Sequence, residues 1–450
     1  MSLADLQQAL FCFYFYYFIS NHRRCLFMAY TFGYSLSPKT ERLLTLLLLY
    51  RGMTARQLAD FFYKTHQISL SQEKSIYNDL AKLKKQGLVK SMRLQQSVSK
   101  GSIYYLTPSG YNFTKDLLNV QQGQKATGWM PPDYGVYDVA DLSYELYLPP
   151  LKQTAHHLML IDFYIKLHTS RDDLWEVLPH RHNLYAARKY KTENGEQQYR
   201  PDAEILINGE LFTVEIDRAT ESHEQLLQKF RTYKNYLDSH ANDSNKDKLA
   251  GILFVVESRR RDQGIRRRWH NILSAFFKVL FAYSNQVNLI LTTMDQVSDT
   301  LHFEQQRTSY KGQIEERLDD YLPDNQEAYI LSPQTFNDAL IACVPISHSK
   351  YRLLFCEVAH EFESAIYIKY IQFQKRQLPN YKTKIPLPNW DDLKYVDHLN
   401  VIFYPQYKPV IMDSFINYKM NAQLEDLLSL LSRNLDFHSF NPVLNMPVSY

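Results

Sequence analysis

Hydrophobic positions recur with helical spacing in three consecutive segments early in the chain. The first begins with Ser37 and Pro38, an N-cap and a first helical position, and continues into a leucine-rich run. A short amphipathic segment starts at Thr54, and a longer one extends from about Ser71 to Gly87, a residue that ends helices because it readily adopts left-handed backbone angles. The pattern therefore predicts three helices.

A β-hairpin is predicted directly after the third helix. Two short segments with strand-like composition, 88–94 and 102–107, flank a polar tip that contains Lys100. The sequence Pro-Ser-Gly from Pro108 then begins a fourth helix. Three helices followed by such a hairpin predict a winged helix-turn-helix domain over residues 37–118.

The next part of the chain is predicted to form a linker and a second domain. Residues 119–152 are rich in glycine and proline and have little helical periodicity, which indicates a linker. The following pattern predicts an α-β-β-β-α-β domain over residues 153–300, with a helix at 154–170, strands at 174–178, 203–207 and 211–216, a helix at 221–239 and a strand at 251–256. The predicted fold class is therefore α+β.

The C-terminal region, residues 301–450, has a weaker α/β pattern. A strand at 352–358, a helix to about residue 377 and a strand at 399–403 repeat the strand-helix-strand order that follows residue 211. Aligning Glu357 with Glu215 places Ala359 where Asp217 stands, so the pattern favours a degenerate repeat that lacks the second carboxylate. The alternative is an unrelated α/β accessory domain.

Charge is distributed unevenly along this chain. Of its 450 residues 45% are apolar, which is enough for several packed cores. The net charge of +3 divides into +8 for residues 37–118 and −6 for residues 119–450, with +1 before them. Because positive charge concentrated in one module is typical of a domain that binds a polyanion, the pattern predicts double-stranded DNA as the partner.

Candidate DNA contacts lie in the third helix, in the hairpin and in a later arginine cluster. We expect base-edge contacts from Gln72, Lys74, Ser75 and Asn78, and phosphate contacts from Lys82, Lys85, Lys90, Arg93 and Lys100. A second, sequence-independent backbone contact is predicted for Arg259, Arg260, Arg261, Arg266, Arg267 and Arg268. The alternative for this cluster is an ordinary solvated helix face.

The N-terminal extension, residues 1–36, and the cysteines place few constraints on function. The apolar run at 9–19 is shorter than the ~20 residues that span a bilayer, so we expect a packed helix, or translation from Met28, and no stable membrane insertion. The four cysteines lie far apart and form no paired motif, which favours the reducing cytoplasm.

Three carboxylates are predicted to meet at strand ends in the second domain. Asp202 starts one strand, and Glu215 and Asp217 end the next with the two-residue spacing that directs both side chains to one face. Grouped carboxylates are ligands for a hard cation, so these three predict a Mg²⁺ or Mn²⁺ site that would activate water for attack on a phosphodiester.

These residues resemble a known family. Pro201-Asp202, the run from Glu215 to Glu221, the Lys229-x-x-x-Tyr233 spacing and the Leu-Thr-Pro-Ser-Gly sequence after the hairpin are similar to the replication-relaxation family of bacterial plasmids and integrative elements. The resemblance implies a role in replication, DNA relaxation or transfer, together with other replication or transfer proteins. A homodimer is compatible with this role.

The second domain in turn resembles the PD-(D/E)XK nuclease fold, in which an Asp, a Glu and a nearby Lys bind metal and orient water. Asp217 stands where this Lys is expected, and Lys229 on the following helix is the candidate replacement. The resemblance thus implies metal-dependent DNA nicking. The alternative is a non-catalytic transcriptional regulator or relaxosome accessory factor that retains an inactive nuclease fold, since acidic residues at strand ends are often merely solvated.

A short histidine motif suggests another kind of metal site. His180-Arg181-His182 is similar to the paired-histidine motif of rolling-circle nickases, which use a tyrosine nucleophile. Its middle residue is arginine rather than apolar, and we therefore expect no metal there. For His156 and His157 we expect a capping or packing role.

Overall fold

The structure, a computed structural model, has two compact units with mixed α and β content, residues 1–171 and residues 172–450. The residues that it describes are 36–64, 67–94, 101–132, 135–168, 177–192, 195–218, 221–240, 248–257, 263–321, 329–331, 340–347, 350–358, 360, 362–365, 368–369 and 394–403. None of the helices formed by these residues is long and apolar enough to cross a membrane.

The first unit begins with the three helices that the sequence predicts. They are α1 (Pro38–Leu49), α2 (Ala55–Tyr63) and α3 (Leu70–Lys85). Each has a side-chain N-cap, because the hydroxyl groups of Ser37, Thr54 and Ser69 accept backbone N–H bonds in the first turn. The cap on Ser69 starts α3 one residue earlier than predicted, and Gly87 follows the helix with a φ of +74°, as expected.

The predicted hairpin is present and has one additional strand. Strand β2 (Val89–Arg93) pairs antiparallel with β3 (Ser102–Leu106), and the two-residue β1 (Met53–Thr54) pairs with the other edge of β3. The hairpin tip, including Lys100, lies outside the described residues. Helix α4 (Pro108–Leu117) follows, capped by the Thr107 hydroxyl.

Gly110 explains the Leu-Thr-Pro-Ser-Gly sequence after the hairpin. A Cβ atom added at Gly110 would lie 1.9 Å from the carbonyl oxygen of Leu88, so α4 approaches the start of β2 more closely than any side chain permits. Thr107 strengthens the same junction, because its hydroxyl donates a hydrogen bond of 2.6 Å to the carbonyl of Gly87. The motif therefore fixes α4 against the hairpin.

The described residues between 119 and 153 are part of the first unit and include two short 3-10 helices, Tyr144–Tyr147 and Leu151–Gln153. Tyr144 donates a hydrogen bond of 2.8 Å to the carbonyl of Leu106, and Arg51 donates one of 2.6 Å to the carbonyl of Leu148. The predicted linker is therefore ordered by contacts with β3 and with the turn after α1.

Helix α5 (Thr154–His168) belongs to the first unit, whereas the sequence analysis placed it at the start of the second domain. Gln57 on α2 donates hydrogen bonds to the Leu158 carbonyl (2.9 Å) and to Asp162 (2.7 Å), and His157 Nε2 donates one of 2.9 Å to the Gly52 carbonyl. Because periodicity identifies a helix but not the neighbour it packs against, the boundary was set too early.

We expect His157 to make the first unit sensitive to acid. Burial lowers its pKa to about 4 from the usual 6.5, while the Gly52 carbonyl opposes this shift. The unfolded chain therefore binds the proton first as the pH falls, so the stability that depends on neutral His157 is complete above pH 6.5 and is lost towards pH 4. Between pH 7.5 and 5 the expected loss is about 2 kcal/mol.

Thermal melts of the wild type and of His157→Gln across this range measure the effect. Glutamine keeps an N–H donor but does not titrate, so the variant should lose this part of the acid dependence. Comparing the two proteins cancels the contribution of Asp162, whose pKa burial raises to about 6 and which titrates in the opposite sense. Equal losses of stability in both proteins would contradict the prediction.

The second unit is built on a five-stranded sheet with the order β10-β9-β8-β7-β4. Its strands are β4 (His180–His182), β7 (Ala203–Ile207), β8 (Glu210–Asp217), β9 (Leu249–Val256) and β10 (Asn288–Thr293). Strands β8, β9 and β10 are parallel, while β7 and β4 run antiparallel to their neighbours. Helices α7 (His223–His240) and α8 (Gln263–Leu280) pack on this sheet through a common apolar core, with the short α6 (Asn183–Ala186) after β4.

Two features at the edge of this sheet differ from the sequence analysis. In the strand predicted at 174–178, residues 177 and 178 are not in a strand and residues 174–176 lie outside the described part; His180–His182 forms the edge strand instead. A separate hairpin, β5 (Arg188–Thr192) and β6 (Gly195–Tyr199), was not predicted. Both segments are short and polar, so hydrophobic alternation does not reveal them.

A second, four-stranded sheet is formed in the C-terminal region, whereas the helix predicted there to about residue 377 lies largely outside the described residues. Helix α9 (Val297–Tyr321) precedes β11 (Tyr329–Leu331), β12 (Leu340–Ser347), β13 (Lys350–Val358) and β14 (Lys394–Phe403). The pair β12–β13 is antiparallel and β13–β14 is parallel, which is the arrangement of β7, β8 and β9 in the first sheet. The predicted strands at 352–358 and 399–403 are both present.

Candidate functional site

One face of β8 carries the polar residues of the candidate site. Thr213, Glu215 and Asp217 alternate with apolar residues and point towards α7 and α8, because side chains two apart on a strand share a face. Glu215 and Asp217 therefore lie on one face, as predicted. Their neighbours on that face are cationic and phenolic groups of the two helices.

Glu215 is held by two residues of α7. Its Oε1 accepts a hydrogen bond of 2.5 Å from the Tyr233 hydroxyl, and its Oε2 accepts one of 2.9 Å from Lys229 Nζ. Lys229 Nζ also lies 3.0 Å from Glu221 Oε1, so one ammonium group bridges two carboxylates. The spacing of Lys229 and Tyr233 places both on one face of α7, which is what the sequence indicated.

Burial and charge have opposing effects on this cluster. Glu215 is only 5% exposed, and desolvation raises its pKa, an effect that the Lys229 ammonium opposes and nearby Asp202 reinforces. Burial alone would lower the pKa of Lys229, but the carboxylates of Glu215, Glu221 and Asp202 outweigh it and raise that pKa above its usual value. Lys229 is therefore charged at neutral pH and acts as the counter-ion of this cluster.

Asp217 is paired with Arg268, a residue of α8. The guanidinium donates two bonds to the carboxylate, from Nε to Oδ2 (2.6 Å) and from Nη2 to Oδ1 (3.0 Å), and a third to the Glu221 carbonyl (2.8 Å). Arg268 is 7% exposed and Asp217 is buried, so this is a bidentate pair inside the protein. The sequence analysis assigned Arg268 to DNA, whereas the structure places it inside the protein on Asp217.

Asp202 stands at the start of β7 and contacts the backbone of β8. Its Oδ2 accepts a hydrogen bond of 2.9 Å from the Ile216 N–H, and its own N–H donates to the Val214 carbonyl at 3.1 Å. Its charge contributes to the raised pKa of Glu215. The backbone contacts fix the turn that leads into β7.

Two of the three predicted metal ligands, Glu215 and Asp217, do not fit a divalent cation in this arrangement. Both oxygens of Glu215 and both oxygens of Asp217 accept hydrogen bonds from protein donors. A cation on the same oxygens would lie within a few ångströms of an ammonium and a guanidinium, which would repel it. Among the described residues, no group of three His, Cys, Asp or Glu side chains is arranged to hold a metal ion.

The histidines of β4 make hydrogen bonds to nearby backbone groups. His180 Nδ1 donates a hydrogen bond of 2.9 Å to the Leu178 carbonyl, and His182 Nδ1 accepts one of 3.2 Å from the Leu184 N–H. Burial lowers the pKa of His180 to about 4. Arg181, between them, pairs with buried Glu204.

The members of the arginine cluster differ in their exposure. Arg267 is exposed on α8, one position before buried Arg268. The side chain of Arg266 lies outside the described part of the chain, as do the residues 259–261. The sequence prediction of a backbone contact therefore stays a prediction for Arg259, Arg260, Arg261, Arg266 and Arg267.

Of the candidate base contacts on α3, two are exposed and two make hydrogen bonds within the protein. Lys74 and Asn78 are exposed, one turn apart. Gln72 is used in the helix cap, where its side chain accepts a hydrogen bond of 2.8 Å from the Ser69 N–H. Ser75 accepts a hydrogen bond of 2.6 Å from Lys39 on α1. Of these four residues, Lys74 and Asn78 are thus the accessible ones.

The candidate phosphate contacts are exposed or lie on the hairpin. Lys82 and Lys85 are exposed on α3, and Arg93 is exposed at the end of β2. Lys90 is half-buried, with its ammonium 5.0 Å from the centre of the Tyr105 ring. Arg93 is therefore the more accessible of the two hairpin cations.

Two large apolar residues on α3 were missed by the sequence analysis. Leu70 is 86% exposed and Tyr77 is 41% exposed. Their spacing of seven residues places them on one helix face, together with Lys74. That spacing was visible in the sequence, but the side of α3 that faces the core was not.

A comparison with protein families identifies one match. The family model described as replication-relaxation covers residues 44–252, from α1 to the middle of β9. No match was found among curated proteins or among solved structures. The matched segment contains α3, the hairpin, Asp202 and the Glu215–Lys229 contact. Over residues 44–252 the chain is thus similar to the replication-relaxation family.

Proposed function

We propose that the first unit is a winged helix-turn-helix module that binds double-stranded DNA through α3 and the β2–β3 hairpin. In this role the protein acts in the replication, relaxation or transfer of a plasmid or integrative element. The observation that carries the proposal is the division of α3, which buries Ile76, Leu80 and Leu83 and exposes Lys74 and Lys85 on its opposite side. An α-helix of this kind fits the major groove of DNA, which is about 12 Å wide.

The acidic residues of α3 do not oppose this role. Glu73 lies 3.7 Å from Arg56 on α2, and Asp79 lies 2.7 Å from Lys39 on α1. Each carboxylate thus faces a cation of a neighbouring helix, and Asp79 also lies 3.6 Å from Lys82 of α3 itself. The exposed face retains its lysines, and these attract the phosphate backbone.

For the second unit we propose a nuclease-like scaffold that does not cleave DNA. Lys229 and Arg268 supply the positive charge that balances Glu215 and Asp217, so the cluster stabilises the packing of α7 and α8 on β8. This corresponds to the accessory-factor alternative of the sequence analysis. Its support is the complete set of protein donors on both carboxylates.

The DNA-binding proposal predicts a specific dependence on salt. For the full chain, the logarithm of the affinity should fall linearly with the logarithm of the salt concentration, and each phosphate contact contributes about 0.9 to the slope. The variant Lys82→Ala/Lys85→Ala should lower the slope by about two if both residues bind phosphates. Fluorescence anisotropy with a labelled duplex, measured over a salt series, gives the slopes.

Lys152→Ala is the matched control for this experiment. Lys152 is an exposed lysine of the same unit that lies on neither α3 nor the hairpin, so its removal should leave the slope unchanged. If the wild type shows no salt-dependent binding, or if Lys152→Ala lowers the slope as much per lysine as the α3 variant, the assignment of the DNA-binding face is wrong.

The scaffold proposal predicts that divalent cations have little effect on the second unit. Adding Mg²⁺ or Mn²⁺ should leave its melting temperature unchanged, because the carboxylates already bind internal cations. Supercoiled DNA incubated with the protein and Mg²⁺ should remain intact. Asp202→Ala is the control variant. Nicking by the wild type that Asp202→Ala abolishes, or a Mg²⁺-dependent rise in melting temperature that Asp202→Ala removes, would instead support a metal-dependent nuclease.

A further inference from the structure

Five exposed residues form a continuous stripe along α3. Leu70, Lys74, Tyr77, Ala81 and Lys85 are separated by three or four positions, so they lie on one face of the helix, and all five are exposed. We call them the α3 stripe. Three of its members are apolar or aromatic and two are cationic, and the side chains of Leu70 and Ala81 have no group that binds phosphate.

The apolar members of the stripe need an explanation that phosphate binding does not give. A single exposed leucine is common on protein surfaces, but Leu70 and Tyr77 lie on either side of Lys74 on the face proposed to meet DNA. Phosphate oxygens bind charged and hydrogen-bonding groups. The major groove has one apolar feature, the C5-methyl group of thymine, and apolar side chains recognise it.

Tyr77 is oriented by the hairpin. Its ring makes an edge contact with Tyr104 of β3, with ring centres 6.4 Å apart and planes at 70°. This contact restricts the ring before any ligand binds, so less conformational entropy is lost on binding. Ala81, one turn further along, is small enough to let the helix backbone approach the base edges.

The charge of the stripe argues against a second copy of this chain as its partner. The stripe contains no carboxylate, because Glu73 and Asp79 lie off it and contact Arg56 and Lys39. A second copy of this chain would therefore bring lysines against lysines. A polyanion that also presents apolar groups fits the stripe, and duplex DNA has both properties.

We propose that Leu70, Tyr77 and Ala81 determine the DNA sequence that the protein prefers, by contacting thymine methyl groups in the major groove. This proposal rests on the DNA binding proposed above and adds its specificity. Leu70 and Tyr77 are about 10 Å apart along the helix axis, which corresponds to roughly three base-pair steps. The preferred site should therefore contain thymines about three base pairs apart.

Uracil substitution tests this proposal, because uracil is thymine without the methyl group. The full-length protein is first used to select its preferred duplex from a random pool. Each thymine of that duplex is then replaced by uracil, and the affinity is measured at fixed salt. Loss of a contacted methyl group should weaken binding about fourfold, the equivalent of ~0.8 kcal/mol for one buried methyl-sized group.

Leu70→Ala is the decisive variant, because a side chain that is 86% exposed can be shortened without loss of folding. It should bind with lower affinity and should no longer distinguish uracil from thymine at one position of the site. Leu151→Ala, which removes a 55% exposed leucine of the same unit, should retain the wild-type sensitivity at every position.

Three outcomes would overturn the proposal. If DNA binding is salt-dependent but uracil has no effect anywhere, the DNA-binding function stands and the specificity proposal fails. If Leu70→Ala leaves uracil sensitivity intact but changes the oligomeric state in sedimentation, the stripe is a protein interface. If the wild type binds no DNA, the proposed function fails and the specificity proposal fails with it.

Discussion

Replacing Arg268 by alanine is expected to destabilise the second unit by about 3–5 kcal/mol, because it leaves the buried Asp217 carboxylate without its counter-ion. The guanidinium supplies two hydrogen bonds to Asp217 and one to the Glu221 carbonyl, and all three are lost together. Chemical denaturation monitored by circular dichroism measures the loss. The size of the effect comes mainly from the charge left unpaired in the protein interior.

Arg267→Ala provides a matched control, since Arg267 is the preceding residue of the same helix and is exposed. Its removal should change stability by no more than about 0.5 kcal/mol. The double variant Asp217→Ala/Arg268→Ala should recover much of the loss, because no buried charge remains unpaired. Equal stability of Arg267→Ala and Arg268→Ala, with weaker DNA binding by Arg268→Ala alone, would return Arg268 to the DNA-binding role that the sequence suggested.

Replacing Gly110 by alanine is expected to destabilise the first unit by about 3 kcal/mol, the upper part of the range for overpacking. Helix propensity alone predicts that the substitution stabilises the unit, because alanine is favoured over glycine in a helix by about 1 kcal/mol. The new methyl group would lie 1.9 Å from the Leu88 carbonyl oxygen, a backbone atom that cannot move without shifting β2. A thermal melt of the variant shows whether the substitution lowers or raises the stability of the first unit.

Ser109→Ala is the corresponding control, because Ser109 is the preceding residue on α4 and is exposed. It should be neutral or slightly stabilising. Gly110→Ala should also weaken DNA binding, since the helix and the hairpin would no longer pack together as a unit. A stabilised Gly110→Ala variant would mean that α4 does not approach the hairpin as closely as the structure indicates.

The first unit was predictable from sequence because its signals are local. Ser37 and Thr54 cap helices within three residues, and Gly87 ends α3 two residues after its last helical position. The hairpin follows at once, with Val89 paired to Leu106. Each of these features depends on residues close together in the chain. Hydrophobic periodicity, capping residues and turn residues were therefore sufficient to predict these elements.

The candidate site was only partly predictable, because its partners are far apart in sequence. The alternation of β8 correctly placed Glu215 and Asp217 on one face, and helical spacing correctly grouped Lys229 with Tyr233. Arg268, however, is 51 residues from Asp217, and no periodicity connects the two. Its arginine-rich surroundings suggested DNA, although only a fold can show that one member of the run is buried.

The parallel order of β8, β9 and β10 has a consequence for how the protein folds. Asp217 pairs in register with Val256, and Val256 with Thr293, so each pairing closes a loop far longer than that of the β2–β3 hairpin. Sheets with such distant pairings form slowly, whereas the first unit is rich in local contacts and emerges earlier during synthesis. Arg268 comes from the helix after β9, so we expect its pair with Asp217 to form after β8 and β9 have paired. Contacts that form after the transition state mainly affect the rate of unfolding, so we expect loss of this pair to speed unfolding more than it slows folding.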